Sequence, residues 1–268
     1  MTVLKDKAKK IRLLVLDMIY RGKTSHIGTA FSCTDILTAL YFGNVMNIKP
    51  ESPSWLERDR FILSKGHGCT AFYAALALKG YFRLETLDQF IKDGSNLSCH
   101  ATLGILPGIE ATGGSGGHGL SIGAGMALAA KLDKKSHQIL VLTGDGECQE
   151  GSIWEAAMFA GQHQLNNLTL VVDNNRLQIL GKTREIVNPE PLSDKLRAFN
   201  WQAVSVDGHN FGELLEAFNQ KTDKPKAIIA NTVKGKGVSF MEDNHLWHSS
   251  CPNEKEYQQA KEELENAN

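Results

Sequence analysis

Leu4, Ala8, Ile11, Val15 and Met18 recur every three or four residues near the start of the chain, with lysines on the opposite side. That spacing predicts an amphipathic helix stopped at Gly22. Helical patterning is expected again from about Thr34 to Val45, near Cys69 to Lys79, more briefly near Leu84 to Lys92, and in small residues from Leu120 to Leu132. Ser52-Pro53-Ser54 reads as loop, Arg60-Phe61-Ile62-Leu63 as a short buried strand, and the glycine-dense stretch from Asp93 to Gly119 as irregular. A regular alternation then sets in. Strand Gln138–Thr143 precedes helix Ser152–His163, and strand Leu168–Asp173 precedes a long loop and helix Leu192–Asn200. Strand Gln202–Val206 precedes helix Phe211–Asn219, and strand Lys226–Asn231 closes the series. The runs Ile139-Leu140-Val141-Leu142 and Leu170-Val171-Val172 are unbroken rather than alternating, as in strands covered on both faces. The expected fold class is therefore α/β, a parallel sheet flanked by helices on both faces. The polar stretch from Asn253 to Asn268 reads as a solvated helix.

Composition narrows the partners. Lys and Arg number 29 against 30 Asp and Glu, a formal net charge of −1, so there is no global basic field for nucleic acid or an anionic membrane. The apolar run from Ile11 to Tyr20 is broken by Arg12 and Asp17, which excludes a membrane span or a signal core there. Five scattered cysteines without a Cys-x-x-Cys pair fit reduced thiols and a cytoplasmic location. No repeat, linker or low-complexity segment interrupts the 268 residues, which are expected to form a single domain, 1–268.

The chemistry concentrates at strand ends. Gly144-Asp145-Gly146 closes one buried strand and Asn174-Asn175 closes the next. In open parallel sheets ligands gather at carboxyl ends, and the glycines permit close approach of backbone and ligand. A carboxylate and an amide oxygen are hard ligands suited to Mg2+ or Ca2+, with phosphate oxygens completing the shell. A strand–turn–helix with an Asp cap is the plain alternative for the first motif taken alone; the second motif favours metal plus diphosphate. Gly114-Ser115-Gly116-Gly117-His118-Gly119 spells the dinucleotide fingerprint, but Pro107 and Gly108 break the strand that fingerprint requires, so no dinucleotide is expected.

Gly144-Asp145-Gly146, twenty-seven intervening residues and Asn174-Asn175 resemble the thiamine-diphosphate signature. The wider set resembles transketolase in particular: Ser25-His26-Ile27-Gly28, Ser64-Lys65-Gly66-His67-Gly68, Gln149-Glu150-Gly151, Val206-Asp207-Gly208-His209, Lys234-Gly235-Lys236-Gly237 and Trp247-His248, in the family's order. The chain stops where a full-length transketolase continues, so it is similar to the N-terminal subunit of a split, two-gene enzyme. The resemblance implies a diphosphate-binding domain and thiamine diphosphate held through Mg2+ (Ca2+ or Mn2+ as substitutes) by Asp145, Asn175 and the Leu177 carbonyl. It implies contact of Gly146 with the diphosphate, of Ile179 with the thiazolium ring, and of Gly114 and Gly116 with the aminopyrimidine. His26, His67, His100 and His248 match active-site positions: His67 and His248 toward the diphosphate or reacting centre, His26 and His248 at the substrate oxygen that gains charge, and His100 at the C1 hydroxyl of the ketose donor. Glu150 corresponds to a family glutamate at a subunit interface, or is an acid facing a helix dipole. His137, His163, His209 and His245 are read as structural or exposed.

The implied partners are a C-terminal transketolase-like subunit carrying the pyrimidine-binding domain, with two copies of each subunit, and sugar phosphate substrates. The implied reaction moves a two-carbon ketol unit from a ketose to an aldose. Gly116, His118, Ala101 and the two serines after His248 depart from family usage on the donor side of the channel, which leaves the sugar open. Alternatives are a deoxyxylulose-phosphate-synthase-like or 2-oxo-acid decarboxylating subunit, and a non-catalytic diphosphate-binding module.

Overall fold

The structure, a computed structural model, describes residues 1–267. Five strands form one sheet: β1 (Arg60–Leu63), β2 (Ile139–Gly144), β3 (Leu168–Asn174), β4 (Gln202–Asp207) and β5 (Lys226–Asn231). Their order is β1-β2-β3-β5-β4, and every pairing is parallel. Gly144 lies beside Asp173, and Asn174 beside Asn231, so these strands end in step. The segments leaving the strands therefore emerge along one edge of the sheet.

Helices α1 (Thr2–Gly22), α2 (Ile27–Phe42) and α3 (Cys69–Lys79) pack on one face, joined there by α8 (Phe211–Asn219). The other face carries α4 (His118–Leu132), α5 (Gly151–Gln162) and α7 (Leu192–Ala198); a short α6 (Thr183–Ile186) lies in the loop after β3. Alternate strand residues serve the two layers: Leu140, Leu142 and Val171 face the first, and Ile139, Val141, Leu170 and Val172 the second. This two-sided burial is why the strands read as unbroken apolar runs.

Several expected boundaries move, for identifiable reasons. The second helix starts at Ile27 rather than near Thr34 and ends at Phe42, because α2 is buried on every side and has no amphipathic rhythm to mark its start. Its hydroxyls are satisfied within the helix, Thr34 to the Ala30 carbonyl at 2.8 Å and Thr38 to the Thr34 carbonyl at 2.7 Å. The left-handed position ending α1 is taken by Lys23 (φ 47°), one residue past Gly22. Leu84–Gln89 is a 3-10 turn rather than a helix to Lys92. The terminal helix α9 (Glu254–Asn266) is not merely solvated: Ala260 and Leu264 are buried, and Tyr257 stacks on Tyr20 of α1 at 4.2 Å. Residue 268 of that expected helix lies outside the described residues. No described helix is long and apolar enough to cross a membrane.

Two glycines of α4 separate packing from propensity. A Cβ at Gly123 would meet Val141 Cγ2 at 2.5 Å, whereas one at Gly125 meets nothing within 4 Å. Alanine is normally favoured over glycine inside a helix by about 1 kcal/mol, and overpacking costs about 1–3 kcal/mol. Gly123→Ala should therefore destabilise the chain and Gly125→Ala should stabilise it, opposite shifts of the urea midpoint. Shifts of the same sign would contradict this helix–sheet packing.

Candidate cofactor and active site

Each strand hands its last residues to a common edge. Asp145, after β2, is 3% exposed, and its Oδ2 accepts the Thr183 hydroxyl at 2.7 Å. Asn175, after β3, donates Nδ2 toward Asp173 Oδ2 and Ser32 Oγ, both at 3.4 Å, while its Oδ1 accepts the Leu177 amide at 3.1 Å. Asp145, Asn175 and Leu177 line one cavity of about 750 Å³, together with Thr183, Thr232 and Val233.

Beneath this cavity sits Asp173, with no exposed surface. Lys65, Thr232 and Ser32 all donate to its carboxylate, the last at 2.6 Å. Burial alone would raise its pKa, but the Lys65 ammonium and these hydrogen bonds hold it below the usual value. Asp145 differs: burial raises its pKa, and among the side chains of the described residues only the Thr183 hydroxyl donates to it. It is a carboxylate with unused acceptor capacity, as a cation site requires.

The four histidines converge. Ring centroids lie 5.7 Å apart for His26 and His67, 6.2 Å for His26 and His100, 5.3 Å for His26 and His248, and 5.3 Å for His67 and His248. His26 holds a left-handed backbone (φ 79°) at the start of α2, and its N–H donates to the His248 carbonyl at 3.0 Å. Burial lowers His26 to about 4 and His248 to about 3, helped in each by neighbouring cations, and lowers His67 well below its usual value. At neutral pH these three rings are neutral. Lys234 reaches His248 Nδ1 at 2.9 Å and the Leu177 carbonyl at 3.0 Å. An ammonium only donates, so His248 Nδ1 accepts and its proton sits on Nε2.

The glycine turn is braced by an acid. Glu147 accepts from Ser64, from the Gly117 amide at 2.8 Å and from the Gly144 amide at 3.2 Å. No strand precedes the turn at 114–119. Gly114 (φ 129°) lies against the His100 ring, and Gly116 against the side chains of Glu147 and Glu150. Glu150 is exposed and occupies the N-cap of α5. Gly146 leaves room for Gln178, which a Cβ would meet at 2.9 Å. Ala101 is buried and His118 is exposed at the first position of α4. Ile179 stands 54% exposed at the tip of the loop after β3 rather than over a cavity wall.

Sequence patterning alone assigns no role to Lys65, Asp173, Ser32, Thr232, Glu147 or Lys234. A charged residue at the end of an apolar strand (Val171-Val172-Asp173) and a lysine two residues past another (Leu63-Ser64-Lys65) were the available signals. His209, read as structural or exposed, is structural: it joins a network with Asp35 and Arg12.

A parallel sheet whose carboxyl edge gathers a carboxylate, an amide, a loop carbonyl and four imidazoles is the ligand site of an α/β enzyme. The family described as transketolase, thiamine diphosphate binding domain, matches residues 3–267, and the chain belongs to it. It is a transketolase-type subunit, and its relatives include proteins of similar length. It is 46% identical over 265 residues to the 6-deoxy-6-sulfo-D-fructose transketolase subunit SqwG of a Clostridium species, covering 98% of this chain and 96% of that one. It is 42% identical over 261 residues to a subunit of the apulose-4-phosphate transketolase of Phocaeicola vulgatus, covering 96% and 92%. The structure superposes on the transketolase of Campylobacter jejuni with a TM-score of 0.94 at 32% identity, over 99% of this chain but 43% of that one. The chain thus spans less than half the length of that solved transketolase.

The residues present fit a divalent ion with a diphosphate. Asp145, Asn175 Oδ1 and the Leu177 carbonyl are hard oxygen donors bearing a single charge, which leaves an ion free to share phosphate oxygens. In the same loop Gln178 Nε2 is buried without a partner among the described residues, a donor available to an anion beside Gly146.

The histidine shifts carry a stability signature. Rings whose pKa is depressed on folding leave stability intact above the unfolded value near 6.5 and withdraw it as pH falls toward about 3. Urea unfolding of the chain between pH 7.5 and 5 should show this loss, and His248→Phe should flatten it. An unchanged slope in the variant would contradict the neutral, desolvated ring.

Proposed function

We propose that the chain is the N-terminal subunit of a split transketolase of the cytoplasm. With a C-terminal partner carrying the pyrimidine-binding domain, it transfers a two-carbon ketol unit from a ketose or ketose phosphate to an aldose. The observation that carries this reading is the joining of the oxygen-donor cavity to the histidine cleft through Lys234, in a chain that aligns along its length with transketolase subunits. Those relatives are named for ketoses bearing a sulfonate or a phosphate, which supports an anionic ketose as donor here. Both are named as subunits, which supports a partner, and two copies of each subunit is the assembly proposed.

Thiamine diphosphate, when bound, supplies the electron sink for the carbon–carbon bond that breaks. This chain's residues hold and orient. Asp145, Asn175 Oδ1 and the Leu177 carbonyl hold Mg2+, and the Gly146 amide and His67 face the diphosphate. Gly114 and Gly116 border the aminopyrimidine, and Ile179 covers the thiazolium ring once the partner closes the site. Neutral His26 and His248 hydrogen-bond the substrate oxygen on which charge develops, His248 through Nε2–H, and His100 holds the C1 hydroxyl.

Asp145→Ala in the complex with its partner should abolish Mg2+-dependent binding of thiamine diphosphate by calorimetry. The wild-type complex should consume a ketose with an aldose acceptor and leave pyruvate untouched. Undiminished cofactor affinity would overturn the metal assignment, and turnover of pyruvate instead of the ketose would overturn the reaction.

A further inference from the structure

His209 lies outside the cleft and is not free. It follows β4, where its own N–H is fixed to Asp207 Oδ1 at 2.8 Å. Its Nδ1 is 2.6 Å from Asp35 Oδ2 of α2, and its Nε2 accepts the Val233 N–H at 2.8 Å. An amide only donates, so Nε2 is bare and the ring proton sits on Nδ1, directed at Asp35. Asp35 is clamped from its other side by Arg12 of α1, at 3.0 and 2.7 Å. Arg12, Asp35 and His209 thus form a chain of bonds from three distant segments that ends on the backbone N–H of Val233. That residue sits between Thr232, which donates to Asp173, and Lys234, which reaches the Leu177 carbonyl and His248. The other backbone ties around it run from the Thr232 amide to Asn174 at 3.2 Å, the Lys236 amide to the Val233 carbonyl at 3.2 Å, the Asp243 amide to the Lys234 carbonyl at 3.0 Å and the Gly235 amide to Gly28 at 2.9 Å; none of them engages the Val233 N–H.

We propose that His209 is a positioning residue of the cofactor site: by accepting the Val233 amide while anchored to Asp35, it sets the turn that carries Lys234 to the Leu177 carbonyl and to His248. The inference rests on the reading of that site as the thiamine-diphosphate and Mg2+ site. His209 stands one step behind a direct partner of a ligand; loss of such a partner ordinarily costs about ten- to a hundredfold in metal affinity, so the loss of His209 should cost about tenfold or less.

The test compares wild type, His209→Ala and His209→Gln in the complex with the partner subunit, since the glutamine carbonyl can still reach the Val233 amide. Calorimetry with thiamine diphosphate and Mg2+ is paired with hydrogen exchange of the 232–235 backbone and with circular dichroism as a folding control. His209→Ala should stay folded, exchange faster at Val233 and bind cofactor about three- to tenfold more weakly, and His209→Gln should recover most of both. A folded His209→Ala with wild-type affinity, or a His209→Gln as impaired as alanine, would overturn the positioning role while wild-type binding leaves the cofactor reading standing. A wild type that binds no cofactor would overturn that reading instead, and with it this role, whatever the exchange at Val233.

Discussion

A single carboxylate, buried under the carboxyl edge of the sheet, organises this molecule. Asp173 draws donors from α2, from the segment after β1 and from the segment after β5, and it holds the amide of Asn175 two residues along its own chain. A charge without access to water survives only when it is fully paired, and removing one partner of such a pair costs about 3–5 kcal/mol. The arrangement has a geometric consequence. With Nδ2 directed at Asp173, Asn175 turns its oxygen away from the buried acid, and an oxygen is what a divalent ion needs. Lys65, Ser32 and Thr232 fix Asp173 and, through it, the end of the Asn175 amide that faces the acid.

The two acids at this edge illustrate how environment divides labour between like side chains. Asp173 is saturated with donors and sits below its usual pKa; Asp145 is nearly as buried but meets one side-chain donor and sits above it. The first is a fully paired anion, and the second keeps acceptor capacity unused. The histidines follow the same logic from the basic side. Desolvation keeps the rings of His26, His67 and His248 neutral, helped at all three by the Lys234 ammonium and at His67 and His248 by that of Lys65, so they donate and accept without adding charge to the cleft.

Much of this was written in the chain's pattern. Unbroken apolar runs announced doubly covered parallel strands, and the adjacency of Gly144-Asp145-Gly146 and Asn174-Asn175 at neighbouring strand ends followed from that alone. The gathering of His26, His67, His100 and His248 was legible only through the family resemblance, since their spacing carries no periodic signal. What stayed hidden depended on contacts between distant segments. The start of α2 was invisible because a helix buried all round has no polar face, and its hydroxyls resemble loop residues until the Thr34 and Thr38 bonds to its own backbone are seen. His209 and Asp35 stand 174 residues apart, and Lys65 and Asp173 stand 108 apart, so no local pattern joins them. The amphipathic face of α9 was masked by its charge, because three side chains, Tyr257, Ala260 and Leu264, dock it.

The most direct test is diffraction from crystals of the subunit complex grown with thiamine diphosphate and Mn2+, collected where manganese scatters anomalously. The account predicts one strong anomalous peak per copy of this chain, bounded by the Asp145 carboxylate, the Asn175 side-chain oxygen and the Leu177 carbonyl, with Asn175 Nδ2 still directed at Asp173. A peak elsewhere, or an Asn175 amide that presents nitrogen to the cavity, would contradict it.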